Sequence, residues 1–465
     1  MRIPWHLTLL AAVVTLAALI VLGAVALQPP RPLITSAAVA DARITPNADG
    51  ENDATTLCYS LSRQAAVSIY FESADGARYY FRRERARPRG EYAVLFSGVV
   101  EGYTRPGETV QGTVEARLLA DGDYTWVIEA TAPDGETQRA AGTLTVAEAD
   151  AALPDLVEFT ISPETFTPNQ DGIADRAQIN VYLAKDADLT VYLQGPDGVN
   201  LYVAERLEGR EPGEAGRHLF DYEGGVDLGA DPPPDGTYTV VAVAQDAEGQ
   251  RVTRTGTLTL QQGGKPRAEI VAQPVGGSVV FETMPYDERY FSAAGAPGDL
   301  IPLPEGDPAF RSDVTVPLGD LLVFRLTVWN YSNVPIRTSG PPPGTVYQQD
   351  QRASTLGWID ESGAWRVGID CDTAVSDYPW RWAVGAADEL VAVERDGQTF
   401  HYLPPGEQAV VWGAIRLTEI NAQRNPQNCW AGLIHEDVEI APLNNNVDPR
   451  QIEIVDGSAA FDPSE

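Results

Sequence analysis

A ten-residue phrase occurs twice in this chain, and the recurrence limits the possible folds more than any other feature. Ile44-Thr45-Pro46-Asn47-Ala48-Asp49-Gly50-Glu51-Asn52-Asp53 opens one segment, and Phe166-Thr167-Pro168-Asn169-Gln170-Asp171-Gly172-Ile173-Ala174-Asp175 opens another 122 residues later. Proline fixes the entry, asparagine and aspartate bond to turn amides, and glycine accepts positive φ, so each phrase is a tight turn feeding a strand. Alternating apolar positions follow in matching order: Leu57, Tyr59, Leu61 against Ile179, Val181, Leu183, then Val67, Ile69, Phe71 against Leu189, Val191, Leu193. This period of two is the mark of half-buried strands.

Each segment later carries Asp-Gly-x-Tyr-Thr, at 121–125 and at 235–239. There a turn delivers a tyrosine to an inward position whose hydroxyl reaches the rim. The spacing between copies has dropped from 122 to 114 by that point. A fixed core with connections of variable length accounts for the change. The two modules are bounded at 41–147 and 155–260.

At 465 residues the chain is too long for one core and predicts about three domains. Its 42 glycines and 35 prolines suit turn-rich β structure. With 66 acidic against 33 basic residues the net charge is −33, a field that repels nucleic acid and anionic lipid and favours cations or basic partners. The exception is 78–89, where six arginines interleave with Tyr79, Tyr80 and Phe81. That stretch reads as a solvated strand, ion-paired to local acids or lying near anionic headgroups.

Residues 7–27 contain no charge and, at 1.5 Å per residue, form about 31 Å of helix, enough for a hydrocarbon core of about 30 Å. Arg2 precedes the run and mostly acidic sequence follows, which places the bulk of the chain outside a bacterial cytoplasmic membrane, single pass. Ala24-Val25-Ala26 also fits a small-x-small cleavage site, so residues 1–28 are a signal anchor or a signal peptide, and the secreted alternative stays open. Residues 29–40 read as an extended, proline-containing spacer.

From 267 to 455 the pattern changes to a tryptophan-rich β-sandwich domain, followed by a polar tail at 456–465. Seven of nine tryptophans fall there, and Trp380 and Trp382 flank Arg381 on one strand face. An exposed face of that kind would be a glycan-binding stripe, and a buried one would be core. Cys371 and Cys429 form a candidate disulfide closing a 58-residue loop, and Cys58 reads as a buried thiol.

Asn47, Asp49 and Asp53, and likewise Asn169, Asp171 and Asp175, put oxygen donors at relative positions 0, 2 and 6 around a glycine, as in the middle of a calcium loop. Thr45 and Thr56, or Thr167 and Gln178, stand where acidic outer ligands would be, so any Ca2+ site is weak and completed from elsewhere. The competing reading is a turn whose donors cap backbone amides. No nucleophile–base set, phosphate-binding glycine loop or paired-cysteine motif is present, and His218, His401 and His435 are scattered. The expectation is a non-catalytic chain.

The paired anchors, 44–53 with 121–126 and 166–175 with 235–240, resemble the immunoglobulin-like repeat of the bacterial flagellar hook-capping protein and related surface and gliding-associated proteins. The resemblance covers roughly 220 residues. It implies small sandwiches used as spacers, without activity of their own. The Trp-Asp-Gly turn common in such repeats is replaced here, by Phe96-Ser97-Gly98 and by Phe220-Asp221-Tyr222. Residues 267–455 resemble no family we can name.

The expected architecture is therefore all-β, tandem immunoglobulin-like β-sandwich domains behind one N-terminal transmembrane helix. The expected role is a structural or assembly protein of a bacterial cell-surface complex, with domains 1 and 2 as spacers and the third as contact domain. The alternative is an adhesin or carbohydrate-binding protein. Expected partners are other surface or membrane proteins, the membrane through 7–27, and a glycan in the second reading, with nucleic acid excluded.

Overall fold

A computed structural model describes residues 5–26, 31–274, 276–291, 298–305, 312–395, 397–440 and 442–456, and within the first helix the side chains of Trp5 and 9–20. The N-terminal helix spans Trp5–Ala26. Among the described residues no helix is long and apolar enough to cross a membrane. The transmembrane helix expected over 7–27 is therefore not supported. Residues 457–465 of the expected polar tail lie outside the described residues.

The first two domains are tandem immunoglobulin-like sandwiches of one topology. In the first, a three-stranded sheet (Ile34–Val39, Thr55–Leu61, Gly90–Phe96) faces a five-stranded sheet. The latter runs Arg43–Ile44, Thr137–Val146, Gly122–Thr131, Ala65–Glu72, Arg78–Arg87. In the second, Leu156–Ser162, Ala177–Leu183 and Gly216–Tyr222 face Thr165–Phe166, Arg251–Leu260, Gly236–Gln245, Asp188–Gln194 and Asn200–Tyr202. In both domains a two-residue strand just before the repeated loop pairs parallel to the last strand.

Inward residues of the alternating runs fill the cores: Leu57, Tyr59, Val67, Ile69 and Phe71 in the first, Ile179, Val181, Val191 and Leu193 in the second. The tyrosine of each Asp-Gly-x-Tyr-Thr motif is buried and ties its own turn. Tyr124 donates to the Ala120 carbonyl at 2.9 Å and Tyr238 to the Pro234 carbonyl at 2.7 Å.

Several expectations change. The region read as a spacer contains the first strand of domain 1: Ile34–Val39 pairs with Thr55–Leu61, as Leu156–Ser162 pairs with Ala177–Leu183. Cys58 is exposed. Leu57 and Tyr59 point inward, so the residue between them must face out. The replacement turns are also re-registered. Phe96 pairs with Thr55 and Tyr222 with the equivalent Ala177, which makes Tyr222-Glu223-Gly224 the counterpart of Phe96-Ser97-Gly98. Gly98 sits against Pro46 and Gly224 against Pro168, so each turn packs on the proline of its phrase.

The shift in repeat spacing has a structural origin. Between Gly90–Phe96 and Gly122–Thr131 lie 25 residues, whereas the corresponding connection in domain 2 has 13. The extra length builds a hairpin, Val99–Glu101 with Thr113–Leu118, that leaves its own sandwich and extends the sheet of domain 2. Thr113 pairs with Thr253, Val114 with Val252 and Ala116 with Arg251.

Gln250, fully buried beneath this seam, donates to the carbonyls of Asp150 and Ala152 and to the Asp246 carboxylate, and accepts from the Leu118 amide. Lys185 joins Asp150 of the linker to Asp246 and Glu248 at 2.8–2.9 Å. The first linker is therefore fastened along its length.

The third domain packs a sheet containing Ala268–Val271, Leu321–Asn330, Gln408–Arg416 and Val346–Gln348 against a nine-stranded sheet. The larger sheet has Gln427–His435 and Trp365–Cys371 near its centre and ends at the edge strand Val391–Arg395. Trp365, Trp380 and Trp382 lie in the core between the sheets.

Candidate functional site

The two copies of the repeated phrase have nearly the same internal geometry and opposite surroundings. In the first, Asp53 accepts from the amides of Asn47 (3.1 Å), Ala48 (2.9 Å) and Gly50 (2.7 Å). Asn47 accepts from the Asp49 amide and Asp49 from the Glu51 amide. In the second, Asp175 accepts from the amides of Asn169 (3.3 Å), Asp171 (3.2 Å) and Gly172 (2.6 Å). There Asn169 accepts from the Asp171 amide and Asp171 from the Ile173 amide.

All six expected metal ligands thus turn oxygen atoms onto backbone amides of their own loop. Among the described residues no group of three or more His, Cys, Asp or Glu could hold a metal ion. The donor set fits turn capping and does not fit a calcium cage.

The surroundings separate the copies. Asp49 and Gly50 are solvent-exposed, while Asn169 and Asp171 are buried at 3% and 4% exposure beneath the third domain. Tyr402 donates to the Asp171 carboxylate at 2.9 Å, and the His435 ring Nε2 lies 2.8 Å from the Gln170 carbonyl. His435 is stacked on Trp365, with centroids 4.4 Å apart, so the ring that reads the loop is backed by the core of domain 3. A β-carbon on Gly172 would lie 2.0 Å from the Ser362 carbonyl oxygen, and one on Gly363 would lie 2.3 Å from the Gly172 amide nitrogen. The backbones of the two domains touch at paired glycines, where only glycine fits.

Buried charge frames this joint. Arg337 bonds Glu361 at 2.9 Å and the Ser362 carbonyl at 2.5 Å, fixing the segment that meets Gly172. Arg366 is wholly buried and bonds Asp360, Glu436 and the carbonyls of Ser339 and Ile359. Arg381, between the two tryptophans, bonds both oxygens of Glu436 at 2.7–2.8 Å. Burial holds the His435 ring down at about 4, and burial followed by the neighbouring Asp171 pushes the Asp175 carboxyl up to about 6. Burial also raises Asp171.

The linker leaving domain 2 is pinned as the first one is. Asp235 accepts from the amides of Gln262 (2.8 Å) and Gly263 (3.0 Å), and Asp121 accepts from the Ala149 amide at 3.0 Å. The aspartate of each Asp-Gly-x-Tyr-Thr motif therefore steers the outgoing chain. The motif's recurrence at the head of the last hairpin of each sandwich could have signalled this role.

Trp380 and Trp382, the candidate ligand stripe, are buried at 4% and 0% exposure, and Trp382 packs edge-on against Phe324 and Tyr347. Cys371 and Cys429 are bonded across adjacent strands at 2.00 Å. Closing that 58-residue loop contributes on the order of 4 kcal/mol in the chain-entropy model. Among the described tryptophans of the third domain the most exposed is Trp358, at 38%. It lines a cleft of about 1000 Å³ at the seam of domains 2 and 3, with Ile359, Leu390, Phe400, Arg337 and Arg395. No sequence pattern singled out Trp358, because the cleft exists only once domain 3 is seated on domain 2.

No protein-family model matches the chain. No curated protein matches it either. Among solved structures, it is similar to a segment of two fibronectin type III domains from chicken tenascin (12% identity, 48% of this chain and 97% of that chain, TM-score 0.17). It is also similar to a Ca2+-stabilized adhesin with which an Antarctic bacterium binds ice (11% identity, 89% and 85%, TM-score 0.20). A third is a 1.5-MDa bacterial ice-binding adhesin (11% identity, 84% and 99%, TM-score 0.18). At these TM-scores the likenesses carry no argument about this chain, whose fold class rests on the topology described above.

Proposed function

We propose that the chain is a non-catalytic display arm of a bacterial cell-surface complex: two sandwiches act as a stiff strut and the third domain makes the contact. The observation that supports this most directly is that both junctions are built. Strand pairing and Gln250 close the first, and Asp171, Gln170 and the facing glycines close the second. Flexible linkers would leave such interfaces sparse. The hook-capping-type repeat supplies the spacer modules.

Native membranes extracted in mild detergent and measured by intact-complex mass spectrometry test the reading. The expected species keeps residues 1–28 and carries protein partners. Recovery of the chain only as a lone, truncated species in the medium would remove it.

A second reading, adhesion through a carbohydrate, is favoured by the exposed Trp358 beside the apolar wall of the seam cleft. Glycan-array binding that Trp358→Ala abolishes would place recognition in the cleft. An array on which the chain binds nothing would leave the protein-contact role.

A further inference from the structure

The edge strand of domain 1 carries a feature that the arm reading does not use. Strand Arg78–Arg87 pairs with Ala65–Glu72, and the register slips twice, first between Tyr70 and Ile69 and again between Ile69 and Val67. The second slip accommodates Glu84, whose φ of 45° turns it out of the ladder. As a result Arg82, Arg85 and Arg87 fall opposite Ile69, Val67 and Ala65, all of which face inward. Without the second bulge Arg82 and Arg85 would point to opposite faces. The bulge gathers three guanidinium groups on one side, around a hollow of about 550 Å³ that they line with Phe81 and Ala86.

These arginines differ from their neighbours. Arg78 pairs with Glu72, and Arg83 pairs with Glu101 while lying over the Tyr80 ring. Arg82 lies over the Phe81 ring and Arg87 over the Tyr92 ring, and Arg87 also meets the Tyr59 hydroxyl, but among the described residues Arg82, Arg85 and Arg87 make no ion pair, and the buried Nε of Arg87 has no hydrogen-bond partner. That is anomalous in a chain with twice as many acids as bases. Burial first, then the charge of Arg87 and to a lesser extent that of Arg85, hold Arg82 below its ordinary value.

One carboxylate is satisfied by a single bidentate guanidinium. Three converging forks suit a tetrahedral oxyanion with more oxygens to share. The hollow also lies at the pole where the chain enters the domain. Arg87 is level with Ala65, while Ile34 and Gly90 are both level with Leu61.

We propose that Arg82, Arg85 and Arg87 form a site for a phosphate-class oxyanion, free or as the phosphodiester of an anionic lipid headgroup. The test uses the full chain in detergent micelles and three variants: R82Q/R85Q/R87Q, the charge-keeping R82K/R85K/R87K, and R85Q alone, which alters one exposed side chain and leaves packing intact. Inorganic phosphate replaces chloride at constant ionic strength while the melting temperature is read. In a second arm, flotation with phosphatidylcholine vesicles is compared with and without phosphatidylglycerol.

The expected result is that phosphate raises the melting temperature of wild type and not of the glutamine triple variant, with R85Q between them. Three arginines at an anionic surface are worth on the order of a hundredfold in affinity. Phosphate stabilisation without a vesicle effect assigns a free anion. Arginine-dependent flotation on phosphatidylglycerol, with or without a phosphate effect, assigns the headgroup. Equal behaviour of wild type and the lysine variant in both arms would reduce the site to a charged patch and overturn the proposal. So would indifference of wild type to both probes.

Discussion

Gly172→Ala and Gly50→Ala, made in parallel, separate the turn from the joint. Both glycines hold the same place in the phrase, at φ of +80° and +87°. A β-carbon in the left-handed region costs about 1–2 kcal/mol, and both variants lose that much. Around Gly50 nothing lies within 4 Å of the added carbon, so the loss ends there. At Gly172 the carbon would sit 2.0 Å from the Ser362 carbonyl oxygen. That backbone cannot yield, because the Gly363 amide is bonded to the Glu436 carbonyl and Arg337 holds Ser362 from the other side. The domains must separate instead.

Separation by more than about 1 Å takes both the Tyr402–Asp171 and His435–Gln170 contacts out of hydrogen-bond range. A bond to a carboxylate is worth about 1.5–3 kcal/mol and a neutral one about 1 kcal/mol, so the joint loses roughly 2.5–4 kcal/mol. The ratio of seated to unseated third domain then falls by two to three orders of magnitude, on the order of 10² to 10³. Small-angle scattering should show an unchanged distance distribution for Gly50→Ala and a broadened one for Gly172→Ala. If the two variants scatter alike, the loop does not hold the joint and the reasoning is refuted.

The joint also sets a pH dependence with two opposed parts. His435 at about 4 sits below its free value of 6.5, so as pH falls between these values the unfolded chain takes up the proton first and stability drops by about 3 kcal/mol. Asp175 at about 6 sits above its free value of 3.8, so over nearly the same range the folded chain takes up the proton first and stability rises by about 3 kcal/mol. Thermal melts should be nearly flat from pH 6.5 to 4 in the wild type, lose stability with acid in Asp175→Asn and gain it in His435→Gln; parallel profiles in all three would disprove the coupling. Gln250→Ala removes the side-chain partner of the Leu118 amide and of the Asp150 and Ala152 carbonyls under the first seam and should cost about 2–4 kcal/mol, read as faster exchange over Thr113–Leu118. An unchanged rate there would mean that the seam is held elsewhere. Roughly millimolar calcium should not shift the melting temperature, since the loop carboxylates are occupied by amides, and a clear rise would show that the loops open to take the ion.

The sandwiches were legible because their information is local. The alternation around Leu57 and Ile179 and the turn that buries Tyr124 and Tyr238 each need only a few neighbouring residues to be read. The first strand was hidden because only Ile34 of Ile34–Val39 is fully buried, so a run of small, half-exposed residues after three prolines reads as a spacer. The destination of the Thr113–Leu118 strand was invisible for another reason, since its pairing partner lies in a different domain and leaves no period in its own sequence. The candidate site was legible as a loop and not as a joint. Asp49 and Asp171 stand in chemically equivalent turns, and what sets Asp171 apart is Tyr402, which lies 231 residues away. Trp380 and Trp382 show the limit of strand parity, which placed them together correctly and could not say which side of the sheet faced solvent.

The hairpin Val99–Leu118 gives the arm a polarity in how it can grow. A sandwich that carries the hairpin donates strands to whichever sandwich follows it, so further copies of that type could be threaded into the series, each gripping its successor. The short-looped sandwich has no strands to donate and must end the series, handing over to a distal domain that accepts its turn. Reach would then change across lineages in whole-module steps, by duplication of the gripping type alone, while the terminal pair stayed together as a unit.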